Sequence, residues 1–340
     1  MPKRVGSLFD QVWDYENLEI AHKFASRGKR DRSEVKWVEA NKGDALLTLQ
    51  YLLKNNLYKT SKYRIFNITE RGKPREIYVL PYYPDRIVHH AVIQVLLDIW
   101  IPWFIRDTYG SIPGRGIHDA VKRITKNLKY DPENTKYCLK LDIKKFYPSV
   151  DHYRLKQHLQ RKLKDPQLLT LLFEVIDSAP GIPIGNYLSQ YFGNVILTPF
   201  DHWIKEVLNI KYYYRYVDDM IILGANKSSL HQIKESIRIK LKEEKLELKH
   251  NWSIFPVDKS GINFLGFIIF RNRKYLRRSI RLRARKFSLK YFKHKIRLKK
   301  CRRSMASWYG WARITSNSKF LRSSIWPIMK KKIGHGPVLV

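Results

Sequence analysis

Three aspartates carry the most chemical information in this sequence. Asp218 and Asp219 stand side by side between two apolar runs, within residues 211–224. Apolar runs on both sides of a short polar pair predict a β-hairpin with the acids at its tip. The alternative is a solvated turn, since aspartate is a favoured turn residue.

A third acid favours a catalytic interpretation. Asp142 lies near the end of a predicted strand over residues 137–143, between Leu141 and Ile143. Three carboxylates on neighbouring strands repel and raise one another's pKa unless a cation neutralises them. Mg²⁺ prefers oxygen ligands, and two such ions about 3.5–4 Å apart are the usual device for in-line attack on a phosphate. We therefore predict a phosphoryl-transfer site.

The charge of the chain predicts a polyanionic partner. A formal net charge of +36 over 340 residues favours nucleic acid, with an anionic membrane surface as the alternative. The sequence contains no run of about 18 apolar residues and no apolar core of signal-peptide length near its start. We expect a cytoplasmic protein without a membrane partner. Cys138 and Cys301 form no CxxC pair, so no disulfide framework or zinc site is predicted.

The order of predicted elements indicates the α+β class, a small antiparallel sheet backed by helices. Strands over 63–68 and 75–80 predict a basic hairpin, and a glycine-containing loop at 110–116 leads into a helix. A further strand is predicted over 246–255, another over 262–270, and a basic helix over 273–300. Residues 271–340 contain 23 Lys or Arg and no Asp or Glu, which makes 270 a natural domain boundary.

The motifs in this order resemble those of reverse transcriptases. The tetrapeptide Tyr216-Val217-Asp218-Asp219, with Asp142 upstream in the segment LKLDIKKFYPSVDH, is similar to their catalytic set, and the resemblance covers roughly residues 55–270. It implies a right-hand polymerase fold. The fingers would be residues 41–135, the palm 136–270 and a basic helical thumb 271–340, behind a helical extension at 1–40.

The resemblance also implies roles for particular residues. Asp142, Asp218, Asp219 and the Ile143 carbonyl would hold two Mg²⁺ ions, with Mn²⁺ as a possible substitute. Tyr147 would exclude a ribose 2′-hydroxyl. The remaining residues implied to bind the nucleotide are Lys73, Arg75, Ile184, Gly185 and Gln190. Tyr216 and Val217 flank the acids in the hairpin.

The segment from Gly181 to Gln190 points to a subgroup. An aliphatic residue, Ile184, precedes Gly185 where many relatives carry glutamine, and this resembles the reverse transcriptases of diversity-generating retroelements. The resemblance implies error-prone copying, at adenines, of a template-repeat RNA into a variable gene. The partners would be the RNA template, a DNA or RNA primer, dNTPs and a small basic, oligomeric helical accessory protein, in a bacterial or phage-encoded system.

Two alternatives remain open. One is another bacterial reverse transcriptase of the retron, group II-like or defence-associated type. The other is a non-catalytic RNA-binding factor on the same fold. Three mutually repelling acids argue against the second alternative, because they are costly without a metal to hold.

Overall fold

The computed structural model describes residues 4–70, 72–292, 298–316 and 320–325. Its first elements are four helices and a two-stranded hairpin. They are α1 (Phe9–Trp13), α2 (Tyr15–Ala25), α3 (Ser33–Ala40), α4 (Lys42–Lys54), β1 (Arg64–Glu70) and β2 (Lys73–Val79). Two longer helices follow, α5 (Ile87–Trp103) and α6 (Ile117–Tyr130).

The central part of the chain alternates strands and helices. Its elements are β3 (Tyr137–Asp142), α7 (Phe146–Ser149), α8 (His152–Lys162), α9 (Pro166–Asp177), α10 (Tyr187–His202), β4 (Tyr213–Tyr216), β5 (Asp219–Gly224), α11 (Lys227–Glu243), β6 (Ser253–Pro256) and α12 (Val257–Ser260). The last elements are β7 (Ile262–Phe264), β8 (Phe267–Ile269), β9 (Lys274–Leu276), α13 (Arg278–Phe292) and α14 (Leu298–Ala312).

Helix starts follow capping signals in the sequence. The Asp14 carboxylate accepts a hydrogen bond from the Asn17 N–H at the start of α2, and Asp151 does the same for Arg154 at the start of α8. Each side chain satisfies one of the backbone donors that a helix leaves unpaired in its first turn. Aspartate is one of the residue types that favour this helix-capping position.

A four-stranded sheet in the order β4-β5-β3-β6 lies at the centre, and its strands pair antiparallel throughout. Both of its faces are covered. Leu139, Met220 and Ile222 belong to the core formed with α5, α8 and α10, whereas Cys138 and Ile221 belong to a second core under α6 and the small β7-β8-β9 sheet. Burial on both faces explains the almost continuous apolar sequence of β5. The predicted mixed class with an antiparallel sheet is confirmed.

Two predicted strands differ from the observed ones. The strand predicted over 262–270 is a hairpin, since Leu265 and Gly266 both have positive φ and turn the chain between β7 and β8. The strand predicted over 246–255 begins only at Ser253, because residues 247–249 instead bond to the backbone at the end of β3. Apolar sequence alone does not reveal the turn at Leu265 and Gly266.

The basic C-terminal segment packs on the small sheet. Trp311 of α14 stacks on Phe267 of β8, with ring centroids 5.6 Å apart. The helix predicted over 273–300 begins only at Arg278, because Lys274–Leu276 pairs with β8 as a third strand. Residues 293–297 of that predicted helix lie outside the described part of the chain. Within the described residues no helix is long and apolar enough to cross a membrane.

Candidate active site

The sheet brings the first and third acids together. Asp142 is the last residue of β3 and is the direct cross-strand partner of Asp219, the first residue of β5. Directly opposed residues in an antiparallel pair project from the same face of the sheet. Asp218 lies in the turn before β5, and its carbonyl oxygen accepts a hydrogen bond of 3.3 Å from the Ile143 N–H. The structure therefore clusters all three predicted acids at one end of the sheet.

The turn that carries Asp218 has an unusual backbone. Val217 has a φ of 57°, which is costly for a β-branched residue. Gly110 packs directly against it. A Cβ atom on Gly110 would lie 2.8 Å from Val217 Cγ2 and 3.2 Å from its backbone nitrogen, so this approach requires glycine.

A buried arginine, Arg215, stabilises this turn by hydrogen bonds. Arg215 donates to both carboxylate oxygens of Asp201, from Nε at 2.8 and 3.0 Å and from Nη2 at 2.6 Å, and neither side chain is exposed. Its Nη1 donates to the carbonyl oxygen of Val217 at 3.0 Å and to Asn194 Oδ1 at 3.1 Å. Asn194 in turn donates to the Gly110 carbonyl at 2.8 Å. The network joins α10, the glycine-containing loop and the hairpin tip.

The surroundings raise the pKa of two of the three acids. Burial, followed by the charge of Asp142, raises the pKa of Asp218. Burial raises the pKa of Asp219 to about 6, although Lys140 opposes the shift. Lys140 Nζ lies 3.4 Å from Asp219 Oδ1, and Lys249 pairs with Asp142. Two lysines thus partly neutralise a carboxylate cluster that favours additional positive charge.

The donor set fits hard divalent cations. Asp219 Oδ1 is buried without a hydrogen-bond partner in the described chain. The bridge between Ile143 and Leu248 is made by the N–H groups of Lys144 and Lys249, which leaves the Ile143 carbonyl oxygen outside it. Carboxylate and carbonyl oxygens are the ligands that Mg²⁺ prefers. As the side chains stand, no three described Asp, Glu, His or Cys residues form a ready metal cage, and Lys249 and Lys140 occupy two of the carboxylates.

Replacing Asp219 with Asn is expected to stabilise the metal-free protein at pH 7 by up to about 2 kcal/mol. The folded protein holds the Asp219 proton up to a pKa of about 6, while the unfolded chain releases it near 4. Wild-type stability therefore falls as pH rises from about 4 to about 6 and then stays level. The side chain is 26% exposed, which reduces the effect below that of full burial.

Urea denaturation in EDTA at pH 3.5 and pH 7 measures this effect. The gain should be present at pH 7 and absent at pH 3.5, where Asp219 is protonated in both states. A variant that is equally stabilised at both pH values would show that the cause is packing rather than charge.

Tyr147 lies close to the acids and half-buried. Burial, followed by the negative charge of Asp218, raises the pKa of its hydroxyl to about 12. Its ring meets Phe146 edge-on at 5.4 Å, and its carbonyl accepts a hydrogen bond from the Ile182 N–H at 2.9 Å. The loop that precedes α10 therefore lies against the segment that follows Asp142.

The β1-β2 hairpin docks on the same loop. The Tyr78 N–H donates to the Ile184 carbonyl at 2.9 Å. Gly185 has a φ of +128°, and a Cβ atom there would lie 2.2 Å from the Tyr78 carbonyl oxygen, so only glycine allows this approach. Arg75 is exposed on β2, and the Lys73 side chain lies outside what the structure describes. The β1-β2 hairpin therefore contacts Ile184 and Gly185 directly.

Gln190 lies in the first turn of α10, next to the glycine-containing loop. Its Oε1 accepts a hydrogen bond of 2.7 Å from the Ser111 hydroxyl in the glycine-containing loop. Both residues border a cavity that Tyr216 also lines. Gln190 is therefore beside the hairpin that carries the acids.

Several residues of this site have no clear signal in the amino-acid sequence. Arg215, Asp201 and Asn194 fix the hairpin, and Lys140 and Lys249 pair with the acids. The one local signal is Arg215 itself, a charge inside an apolar strand sequence that needs a buried partner. Nothing near Asp201 in the sequence indicates that it is this partner.

Solved structures establish the fold. A structure of apo telomerase from Candida Tropicalis truncated from its C-terminal domain matches with a TM-score of 0.50 and 16% identity, over 68% of this chain and 60% of that one. A second, of Candida Tropicalis telomerase in complex with a fragment of telomeric RNA, has a TM-score of 0.50 at 14% identity, over 84% of this chain and 56% of that one. The protein has the right-hand polymerase fold, which confirms the predicted fold class.

The family follows from the sequence match. The model described as "Reverse transcriptase (RNA-dependent DNA polymerase)" matches residues 57–269, so the chain belongs to the reverse transcriptase family. Among curated relatives, Protein YkfC of Escherichia coli K12 is 24% identical over 62% of this chain and 67% of its own length.

Other relatives are matched over smaller shares. The group II intron-encoded protein LtrA of Lactococcus lactis is 23% identical over 47% of this chain and 28% of its own length. The retron Ec73 reverse transcriptase of Escherichia coli is 24% identical over 51% of this chain and 60% of its own. The chain thus spans less than two thirds of these two relatives.

Proposed function

We propose that this protein is an RNA-directed DNA polymerase that extends a DNA or RNA primer with dNTPs on an RNA template. The observation that carries the proposal is the pairing of Asp142 with Asp219, with Asp218 at the adjoining turn. The family supplies the reaction class, and the net charge of +36 suits a nucleic-acid substrate.

Asp142, Asp218, Asp219 and the Ile143 carbonyl would hold two Mg²⁺ ions, or Mn²⁺ in their place. When bound, such ions activate the primer 3′-hydroxyl and stabilise the departing pyrophosphate. The protein's own contribution is to hold the three carboxylates close together at one end of the sheet. Lys140 and Lys249, which pair with Asp219 and Asp142, would be replaced by the metal ions as partners of these carboxylate oxygens.

The rest of the site positions the nucleotide. Lys73 and Arg75 of the β1-β2 hairpin would contact the triphosphate, since cationic side chains pair with phosphate oxygens. Ile184 and Gly185 lie where that hairpin meets the palm. Residues 41–135 would act as fingers, 136–270 as palm and 271–340 as thumb, with 1–40 as a helical extension.

Tyr147 would exclude ribonucleotides by filling the space a 2′-hydroxyl needs. We expect Tyr147→Ala to raise the relative use of rNTPs at least about tenfold, because the steric clash costs more than a lost packing contact. The ratio of kcat/KM for dGTP and GTP measures this. Tyr130→Ala, at an exposed tyrosine on α6, is the matched control. An unchanged ratio would mean that Tyr147 is only a packing residue.

We further propose that the enzyme is of the diversity-generating type. It would make cDNA with errors at template adenines from a template-repeat RNA, for a variable gene, with a small basic oligomeric accessory protein in a bacterial cytoplasm. Ile184 supports this subtype, since an apolar side chain can only pack where a glutamine could hydrogen-bond. A retron or group II-like enzyme is the second candidate, supported by the sequence similarities to LtrA and the Ec73 enzyme.

Primer extension on an RNA template with Mg²⁺ and four dNTPs, followed by product sequencing, tests both the polymerase activity and the diversity-generating subtype. Errors concentrated at template adenines would support the diversity-generating type. Accurate extension would favour the second candidate. No synthesis, even with native RNA and accessory protein, would contradict polymerase function and favour an RNA-binding role.

Ile184→Gln is expected to lower misincorporation opposite adenine by about tenfold. The new amide adds a polar contact that a correct pair can satisfy and a mismatched pair leaves unmet. The substitution preserves the backbone, so the hydrogen bond from Tyr78 to the residue 184 carbonyl can remain. Sequencing of the extension products gives the error rate. Ile184→Leu is the control, and an error spectrum that is the same in all three proteins would contradict the prediction.

A further inference from the structure

The loop between α9 and α10, residues 178–186, contacts two parts of the proposed nucleotide site. The Ile182 N–H donates to the Tyr147 carbonyl at 2.9 Å, and the Ile184 carbonyl accepts a hydrogen bond from the backbone of β2. Gly181 has a φ of +60°, and a Cβ atom there would lie 2.6 Å from the Tyr147 carbonyl oxygen. A small displacement of this loop therefore changes the space around Tyr147 and Ile184.

Neutral hydrogen bonds close the loop at its two ends. The Tyr63 hydroxyl lies 2.8 Å from Ser178 Oγ at the start of the loop. The same hydroxyl accepts a hydrogen bond of 2.6 Å from Asn186 Nδ2 at its end. Hydroxyl and amide groups keep their protons near neutral pH. These two contacts therefore hold the ends of the loop in the same way across that pH range.

The middle of the loop is held by a histidine, His152, the first residue of α8. Its Nε2 lies 2.8 Å from the Gly181 carbonyl oxygen, and its Nδ1 lies 3.1 Å from Oδ1 of Asp177, the last residue of α9. A carbonyl oxygen and an ionised carboxylate both accept hydrogen bonds and do not donate them. Both ring nitrogens carry a proton in the imidazolium form alone. The two contacts together therefore require a positively charged His152.

Removing one proton from His152 leaves a single N–H for two acceptors. A hydrogen bond to an ionised acceptor is roughly twice as strong as one to a neutral acceptor, so the remaining proton stays on Nδ1, towards Asp177. Nε2 then presents a lone pair to the Gly181 carbonyl oxygen, and the loop loses this anchor. Histidine ordinarily changes charge between about pH 5 and about pH 8. The loop is therefore held more firmly at the lower end of this range than at the upper end.

Charged groups adjoin the imidazole on two elements. On α9, the Asp177 carboxylate favours the imidazolium form. On α8, Lys156 pairs with the other oxygen of Asp177 and opposes that effect. Asp151, the residue before the histidine, pairs with Lys245. Replacing Asp177 with a neutral side chain of the same shape is therefore the direct way to remove the need for a charged ring.

We propose that His152 is a positioning residue whose charged ring holds the 178–186 loop in its nucleotide-binding arrangement, so that dNTP binding weakens when the ring loses a proton. His152 acts through Gly181 on Tyr147 and Ile184, and not on the nucleotide itself. The inference rests on the proposed polymerase function, and it adds a pH-dependent element to the nucleotide site.

The first test compares the pH dependence of KM for dGTP in the wild type and in Asp177→Asn. The new amide nitrogen can donate to Nδ1 of a neutral ring, which leaves the Nε2 proton for the Gly181 carbonyl at high pH. We expect the wild-type KM to rise about tenfold from about pH 6 to about pH 8.5, the effect of losing one hydrogen bond. Asp177→Asn should keep a nearly constant KM.

Two further variants complete this test. His152→Leu should show the high KM at both pH values, with a much smaller change in kcat, because the reacting groups are untouched. Asp98→Asn, at an exposed acid on α5, is the matched control and should follow the wild-type profile. Parallel profiles in the wild type and Asp177→Asn would overturn the inference and leave the polymerase function intact.

A second measurement does not depend on activity. Hydrogen exchange of the Ile182 amide in the metal-free protein, corrected for the intrinsic effect of pH, reports how firmly the loop is held. Protection should fall with rising pH in the wild type, stay high in Asp177→Asn and be low throughout in His152→Leu. Protection that is the same in all three proteins would overturn the inference. A wild-type protein that shows the expected exchange but extends no primer would instead contradict the proposed function.

Discussion

Replacing Asp218 with Asn should lower the rate of nucleotide addition about a thousandfold while the protein stays folded. The carboxylate is proposed to hold the divalent ions that carry several kcal/mol of transition-state stabilisation, and 1.36 kcal/mol corresponds to a factor of ten. Asn keeps the size of the side chain and removes the charge. Since burial and Asp142 raise the pKa of Asp218, the neutral variant also relieves repulsion and should not destabilise the fold.

Two measurements together make this prediction specific. Single-turnover primer extension gives the rate, and titration with Mn²⁺ followed by its paramagnetic signal gives metal affinity independently of activity. Asp142→Asn should show the same pair of losses, because Asp142 belongs to the same cluster. Asp98→Asn, at an exposed acid on α5, is the control and should match the wild type. A folded Asp218→Asn protein with nearly full activity would contradict the assignment of the active site.

Asp201→Ala is expected to lower the free energy of unfolding by about 3–5 kcal/mol. Asp201 and Arg215 are both fully buried, and removing one partner of such a pair leaves the other charge without compensation. Tyr213 also loses its acceptor, since its hydroxyl donates to Asp201 at 2.7 Å. Urea denaturation measures the loss. Arg238→Ala, which breaks an exposed pair with Glu235, should cost less than about 1 kcal/mol.

A double variant separates stability from positioning. Asp201→Leu combined with Arg215→Met replaces the pair with apolar side chains, a change that is often neutral for stability. It still removes the hydrogen bond from Arg215 to the Val217 carbonyl, which fixes the turn before Asp218. We expect stability to recover in part, since the Tyr213 hydroxyl still lacks its acceptor, and primer extension to stay at least about tenfold below wild type. A fully active double variant would show that the network contributes only to folding.

The acids and the elements that carry them could be read from the sequence because their signals are local. Asp218 and Asp219 sit between apolar runs that form β4 and β5, and Asp142 ends an apolar strand. The caps at Asp14 and Asp151 depend on contacts only three residues away. Backbone propensity and alternation act over such short distances, and they are therefore visible in the sequence.

A turn inside an apolar run, without a cluster of glycine or charged residues to mark it, is not visible in the sequence. The segment from residue 262 to 270 is apolar almost throughout, yet positive φ at Leu265 and Gly266 folds it into a hairpin. The compact sheet with β9, covered by Trp311, compensates for the strain at Leu265. That compensation comes from residues distant in the chain.

The sequence by itself determined the three acids, the antiparallel sheet that carries them, the family and the basic character of the C-terminal segment. Only the tertiary structure decided what surrounds the acids: Arg215 meets Asp201 across 14 residues, Ser111 meets Gln190 across 79, and Lys249 meets Asp142 across 107. The physical reason is that a buried charge or amide needs a partner in space, and the fold selects this partner from distant elements.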